Sequence, residues 1–233
     1  SWTGQALAGW IIDQVVRGDG ERARERVLIQ ANRMKTFMLG PDGKPVAALI
    51  LDLEAQTITQ VDFQQRYYVA ATVQEYVQTM RQAQQMLSGR IPEAMKQAPM
   101  DCREPAIEIR KAGQQATIAG YSAVRYDILV EGDLDDELWL AKDLKVWLEW
   151  DPRKVEQFAV EMGKGSPCGH SKGRIGLLGP DQARQLAEEG YPVRTLHRGP
   201  EGSSYTIEVV KVEGRDVQPS EFQPPAGFTR KKF

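Results

Sequence analysis

Three short apolar runs, separated by two or three polar residues, follow one another between residues 46 and 70. They read VAALILDL, TITQVDF and RYYVA, and the links are EAQ and QQ. Each run has the length of a strand, and each link has the length of a hairpin loop. Because parallel strands need much longer crossovers, this segment predicts an antiparallel meander.

Further strands are predicted on both sides of the meander. Residues 5–38 alternate in residue type around a Gly-Asp-Gly turn, which predicts one long β-hairpin, with a helix beginning at Glu21 as the alternative. Downstream, strands are predicted at AIEIRKAG, QQATIAGYSAVRYDILVEG, DDELWLAKDL, YPVRTLHRG and SSYTIEVVKVEG.

Three helices interrupt the strands. Thr72 and Glu75 have the spacing of a capping box, and apolar residues at intervals of three and four predict a helix over about 72–88. Asp151 and Pro152 predict the start of a second helix, and a third begins at Pro180 and ends at Gly190. Strands and helices together predict an α+β protein.

Composition excludes some classes of function. The chain has 233 residues and a formal net charge of −2, and it lacks the basic excess of nucleic-acid-binding proteins. The basic run at residues 230–232 is interpreted as a solvated tail. No apolar run reaches the length of a transmembrane helix, so a membrane-spanning protein is not expected.

No motif predicts catalysis, a metal or a cofactor. Cys168 and His170 are close in sequence but lack an orienting partner, and the sequence GKGS at 163–166 lacks the first glycine of a phosphate-binding loop. The acidic residues 133–137 lack the spacing of a calcium loop. They are interpreted as a solvated hairpin tip. We therefore expect no catalytic residues, no metal ligands and no cofactor.

Aromatic and flexible apolar residues give the candidate binding site. They either form an ordinary packed core or line an apolar space between the sheet and the helices, which would accept an acyl chain. The candidates are Tyr67, Tyr76, Met80, Tyr126, Trp139, Trp147 and Phe158.

The two cysteines, Cys102 and Cys168, leave two possibilities open. They are too few for a disulfide scaffold or a closed zinc site. In an exported protein they could form one disulfide, worth roughly 4 kcal/mol in the chain-entropy model. Otherwise they remain unpaired thiols.

Several motifs resemble a family of bacterial envelope proteins of unknown function that is related in fold to the lipoprotein carrier LolA. They are IQANRMKTFM, ILDLEAQTITQVD, TVQEY, TIAGYSAVRYDI, ELWLAKDL and SEFQPPAGF, and they run in order from about residue 27 to 228. The resemblance implies a strongly curved antiparallel sheet, an incomplete barrel, with helices covering its concave face. It also implies a single LolA-like domain over residues 1–233.

The resemblance also implies a function. LolA-like proteins are exported and hold lipid or acyl chains between sheet and helices, so we expect a non-enzymatic periplasmic or otherwise exported protein, or one lipid-anchored in its precursor. Its expected partner is a lipid or a lipoprotein acyl chain. The alternative is an envelope protein-interaction or sensor module with a solid core. Ala123 stands where a Cys is common in the family, so any disulfide here would use Cys102 and Cys168.

Overall fold

The computed structural model describes residues 9–18, 20–88, 103, 105–165, 180–199 and 203–232. Among these residues twelve strands form one sheet. The strands are β1 Trp10–Gly18, β2 Glu21–Gln30, β3 Arg33–Leu39, β4 Pro45–Asp52, β5 Thr57–Asp62, β6 Tyr67–Thr72, β7 Ile107–Ile118, β8 Tyr121–Val130, β9 Asp133–Ala141, β10 Tyr191–Arg198, β11 Ser204–Gly214 and β12 Thr229–Lys231. The helices are α1 Val73–Ser88, α2 Pro152–Gly163 and α3 Pro180–Glu189.

The sheet is curved and does not close. Its strand order is β12-β6-β5-β4-β3-β2-β1-β11-β10-β9-β8-β7, so β12 and β7 form the two edges. Neighbouring strands are antiparallel, except that β12 runs parallel to β6. The predicted meander is confirmed as β4, β5 and β6. The predicted α+β class, with a curved antiparallel sheet forming an incomplete barrel, is also confirmed.

The predicted single hairpin over residues 5–38 is wrong, because the described part of this segment contains three strands. The additional turn uses Ala31 and Asn32, which have φ angles of 49° and 62°. Both residues are held by Glu149, whose side chain accepts a hydrogen bond from Ala31 N (2.9 Å) and whose backbone carbonyl accepts one from Asn32 N (2.8 Å). A partner so distant in sequence leaves no local pattern, which explains the missed turn.

All three predicted helix starts are confirmed, and the structure shows the caps of the first two. Thr72 and Glu75 form a reciprocal capping box: Thr72 N donates to Glu75 Oε2 (2.8 Å), and Glu75 N donates to Thr72 Oγ1 (3.2 Å). Asp151 Oδ1 accepts from Arg153 N (2.9 Å) at the start of α2. These caps satisfy backbone N–H groups that have no partner within the helix.

Residues 230–232 are exposed, as expected of a solvated tail, but the first two form a strand. Arg230 and Lys231 belong to β12, which pairs with the end of the meander at β6. The ammonium of Lys231 lies 3.6 Å from the centroid of the Tyr67 ring. Backbone pairing and this cation–π contact fix a strand whose side chains remain exposed.

Alternate side chains of β4 separate two apolar clusters on opposite faces of the sheet. Leu49 and Leu51 contact one cluster, which α1 and α2 cover. Ala48 and Ile50 belong to the other, which residues 215–228 cover. We call these surfaces the helix face and the C-terminal face, and we call residues 215–228 the C-terminal segment.

No helix among the described residues is long and apolar enough to cross a membrane.

Candidate functional site

The helix face is an apolar cluster between the sheet and two helices. Its buried members are Ile58 of β5 and Val73 and Val77 of α1. Partly buried side chains pack around them, namely Leu49, Leu51, Tyr76, Phe158 and Met162. The capping box and the Asp151 cap fix where α1 and α2 begin, so they also fix which side chains reach this cluster.

The helices cover this face only in part. Met80 continues the apolar stripe of α1, yet its side chain is 42% exposed. On α2, Val155 and Val160 are also exposed. Apolar side chains at helical spacing are expected to be buried. Within the described residues, α1 and α2 therefore present apolar side chains that no other part of the protein covers.

The structure brings together two of the seven candidate residues. Tyr76 and Phe158 both belong to the helix-face cluster. Met80 lies on the same helix as Tyr76 but is exposed, and Trp147 is exposed before α2. Tyr67 lies at the sheet edge beneath Lys231.

The remaining two candidates lie in other clusters. Tyr126 packs with Leu140 and with Leu186 of α3, and its hydroxyl donates to Glu189 Oε2 (2.7 Å). Burial and this carboxylate raise the pKa of Tyr126 to about 12. Trp139 packs against a cluster that includes Ile12 and Val193, so it is separate from the helix face.

The C-terminal face is more completely buried than the helix face. Phe222 of the C-terminal segment is buried with Ile50 and Val61 of the sheet. Three further aromatic rings pack beside them, with Phe63 lying 6.1 Å from Phe37 and 5.5 Å from Phe228 between ring centroids. Sequence reasoning identified the SEFQPPAGF motif but assigned it no packing role.

Lys35 is the main polar residue on this face, and sequence reasoning missed it. The side chain of this β3 residue is almost wholly buried, at 4% exposure. Its Nζ donates to the backbone carbonyls of Glu221 and Gln223, both at 2.9 Å. Burial lowers the pKa of Lys35 to about 8, although the negative charge of Glu221 opposes the shift. In the sequence, Lys35 is one lysine in an alternating strand, and no local pattern predicts that it is buried.

A cavity of about 650 Å³ lies between the sheet and the C-terminal segment beside Lys35. Its apolar lining includes Phe37 and Phe63 of the sheet side. Arg26 and Arg215 also line it. Each arginine is paired: Arg26 with Asp13 (2.7 Å) and Arg215 with Glu221 (3.0 Å).

The acidic stretch at the start of β9 is exposed at Asp133, as predicted for a solvated tip, but not along its whole length. Asp136 and Glu137 are buried. Asp136 Oδ1 lies 2.7 Å from Nδ1 of His197, which is itself only 2% exposed. Strands β9 and β10 pair at this point, and the pairing buries these groups. The composition of the stretch does not predict which strand pairs with it.

Among the described residues, Asp135, Asp136 and His197 could hold a metal ion, because they offer ligand atoms within 4.8 Å of one another. The short Asp136–His197 hydrogen bond accounts for part of this proximity. The predicted thiol–imidazole pair Cys168 and His170 lies outside the described residues. Cys102 lies outside them too, so the proposed disulfide stays a prediction.

Comparisons with known proteins place the chain among uncharacterised relatives. A family model described as a domain of unknown function (DUF4412) matches residues 69–228. No functionally curated protein shows significant sequence similarity to the chain. A crystal structure of an uncharacterized conserved protein from Thermus thermophilus has 10% identity and a TM-score of 0.53, covering 98% of this chain and 92% of that chain. At this identity the likeness is one of fold.

Two further solved structures are more distant. A LolA superfamily protein from Nitrosomonas europaea has 7% identity and a TM-score of 0.34, covering 94% of this chain and 91% of that chain. The MucA/MucB complex of Pseudomonas aeruginosa gives 11% identity and a TM-score of 0.42, covering 94% of this chain and 56% of that chain.

Proposed function

We propose, from the premise that this chain belongs to the DUF4412 family, that it is a non-enzymatic protein of the cell envelope that binds an apolar ligand on its helix face. The family description carries no activity, so the proposal depends on the geometry of the two sheet faces. The observation that carries it is the incomplete cover of the helix face, where Met80 and Val155 remain exposed on helices that pack on apolar residues.

A lipid or an acyl chain fits this surface. Tyr76, Phe158 and Met162 are only partly buried, so a hydrocarbon lying against them would remove more apolar area from water. Each square ångström so buried is worth about 25 cal/mol, and an acyl chain supplies no polar group that needs a partner. The long side chain of methionine adapts to ligands of different shape. Tyr76, Met80 and Phe158 are the predicted site residues that we place against this ligand.

Native mass spectrometry of gently purified protein tests the proposal. We expect a fraction of the molecules to carry a bound lipid, because the apolar surface of the helix layer favours its retention. Met80→Glu should reduce that fraction, since it places a carboxylate on the apolar stripe of α1. Gln82→Glu is the matched control: it puts the same charge on the exposed part of the same helix and should leave the lipid bound.

A result with no bound lipid in the wild-type protein, and no binding of the neutral fluorescent probe N-phenyl-naphthylamine, would contradict the proposal. Equal probe binding by Met80→Glu and Gln82→Glu would place the apolar site away from α1.

The exposed apolar residues also favour a second candidate, a protein-interaction or sensor module of the envelope. Val160 is 56% exposed on α2, and apolar side chains of a partner protein could pack there as well as a lipid could. Pull-down from delipidated envelope extract separates the two candidates. The module hypothesis expects a protein that binds after delipidation and is lost in Val160→Glu, whereas the lipid hypothesis expects no such protein.

Export to the envelope is part of the same proposal. Cell fractionation of the full precursor, followed by detection of this chain, tests it. Recovery in the periplasmic or membrane fraction is expected, and recovery in the cytoplasm alone would contradict it.

A further inference from the structure

The cavity beneath the C-terminal segment contains a buried cation without a carboxylate partner. Lys35 Nζ uses two of its three N–H donors on the neutral carbonyls of Glu221 and Gln223. No carboxylate among the residues that the structure describes lies within ion-pair distance of it. A buried ammonium ordinarily requires a counter-charge, because burial removes the water that stabilises it.

The other charges around the cavity are already balanced. Arg26 donates through Nε and Nη2 to the two carboxylate oxygens of Asp13, at 2.7 and 3.1 Å. Arg215 donates to both carboxylate oxygens of Glu221, at 3.1 and 3.0 Å. Glu221 is therefore engaged by Arg215, and its charge reaches Lys35 only at longer range. Lys35 therefore has no carboxylate partner of its own, and besides the two carbonyls its Nζ lies 4.8 Å from the centroid of the Phe37 ring, a cation–π contact.

Most of the rest of the lining is apolar, with Ser220 and Gln223 as its polar members. Ile11, Leu28, Phe37 and Phe63 line it from the sheet side, and Pro224 and Pro225 line it from the C-terminal segment. The volume of about 650 Å³ falls within the range of small-molecule sites, roughly 300 to 1,000 Å³. Among the described lining residues, Lys35 is the cation without a carboxylate partner, and the apolar side chains beside it are complementary to a ligand with one negative charge and a hydrocarbon body.

We propose that this cavity binds a monoanionic amphiphile, an aliphatic carboxylate whose oxygens accept from Lys35 and whose hydrocarbon packs against Phe37 and Phe63. The carboxylate takes the third N–H of the ammonium and supplies the missing counter-charge. The hydrocarbon fills the aromatic part of the cavity. This site lies on the opposite sheet face from the helix layer, so it does not depend on the function proposed above.

Three probes with the same chain length test the charge requirement on wild-type protein. Octanoate, octanol and octylammonium differ only in the head group, and isothermal titration calorimetry near neutral pH measures each affinity. Octanoate should bind about tenfold more tightly than octanol, because a hydrogen bond between an ammonium and a carboxylate is stronger than one between an ammonium and a neutral hydroxyl. Octylammonium should bind more weakly than octanol. Equal affinities for octanoate and octanol would overturn the proposal without any variant.

A substitution of Lys35 then tests whether this residue causes the preference for octanoate over octanol. Lys35→Met retains the length of the side chain and removes the charge, so octanoate should fall to the affinity of octanol. Lys44→Met is the matched control, because Lys44 lies in the exposed turn before β4 and should leave the preference for octanoate unchanged. A Lys35→Met protein that is folded by circular dichroism and still prefers octanoate would overturn the proposal.

An NMR measurement on the wild-type protein tests the proposal even if Lys35→Met does not fold. In wild-type protein, the side-chain ¹⁵N resonance of Lys35 should shift on saturation with octanoate and stay unchanged with octanol. Saturable octanoate binding that leaves this resonance unchanged would place the carboxylate elsewhere and overturn the assignment.

Discussion

The two faces of β4 differ in how completely they are covered, although they belong to the same strand. Ala48 and Ile50 are buried under the C-terminal segment, whereas Leu49 and Leu51 remain partly exposed under α1 and α2. The C-terminal face is held by Lys35 and by the Arg215–Glu221 pair. The helix face depends on apolar packing and two helix caps. The comparison indicates that buried contacts around Phe222 and Lys35 hold the C-terminal face together, whereas the helix face keeps apolar side chains partly exposed.

The largest expected difference concerns one phenylalanine on each face. Phe222→Ala should destabilise the protein by about 3 to 5 kcal/mol, because it leaves a cavity in a buried cluster. Phe158→Ala should cost only about 1 to 2 kcal/mol, since its ring is partly exposed. Urea denaturation followed by tryptophan fluorescence measures both. Equal losses would contradict the proposed difference between the faces.

The difference in stability between the wild-type protein and Lys35→Met from pH 8 to 10 reports on the C-terminal face. Lys35 has a folded-state pKa of about 8, below its ordinary value of 10.5, so the unfolded chain binds more protons between these two values. The free energy of unfolding should therefore rise as pH increases from 8 towards 10, by an amount on the order of 3 kcal/mol at full deprotonation. Below pH 8 the cost of burying the charge is fully present.

Lys35→Met removes this titration, and it should abolish most of the rise. Denaturation curves at pH 7, 8, 9 and 10, compared between the two proteins, measure the effect. If the free energy of unfolding changes with pH in the same way in the wild-type protein and in Lys35→Met, the result would contradict the buried position of the ammonium.

The smallest effect is expected at the caps of the helix face. Asp151→Ala removes the acceptor for Arg153 N and should cost about 1 kcal/mol. Asp151→Asn retains an acceptor and should be close to wild type. Thermal denaturation by circular dichroism distinguishes them. If both variants lose the same stability, the cap does not fix the start of α2.

Local sequence signals predicted the helix face better than the C-terminal face. The cap residues Thr72 and Asp151 act within three residues of themselves, so the sequence revealed both helix starts. The apolar stripe of α1 likewise identified Tyr76, which lies in the cluster. The meander was predictable because its hairpin loops are short and polar.

The missed features all depend on partners distant in the chain. The turn at Ala31 and Asn32 is held by Glu149, and Lys35 is buried by backbone carbonyls of residues 221 and 223. The burial of Asp136 depends on His197 in the next strand of the sheet. Hydrogen bonds of this kind follow from tertiary structure, so residue type and local spacing do not encode them.

The ligand role of the helix face is tested most directly by photolabelling with a neutral diazirine-bearing alkyl alcohol. Tandem mass spectrometry then maps the labelled peptides in the wild-type protein and in Met80→Glu. We predict saturable labelling within Val73–Ser88 and Pro152–Gly163, including Tyr76 and Phe158, and a clear reduction in the variant. Saturable labelling confined to residues 215–228, or labelling of the helices that Met80→Glu leaves unchanged, would contradict it.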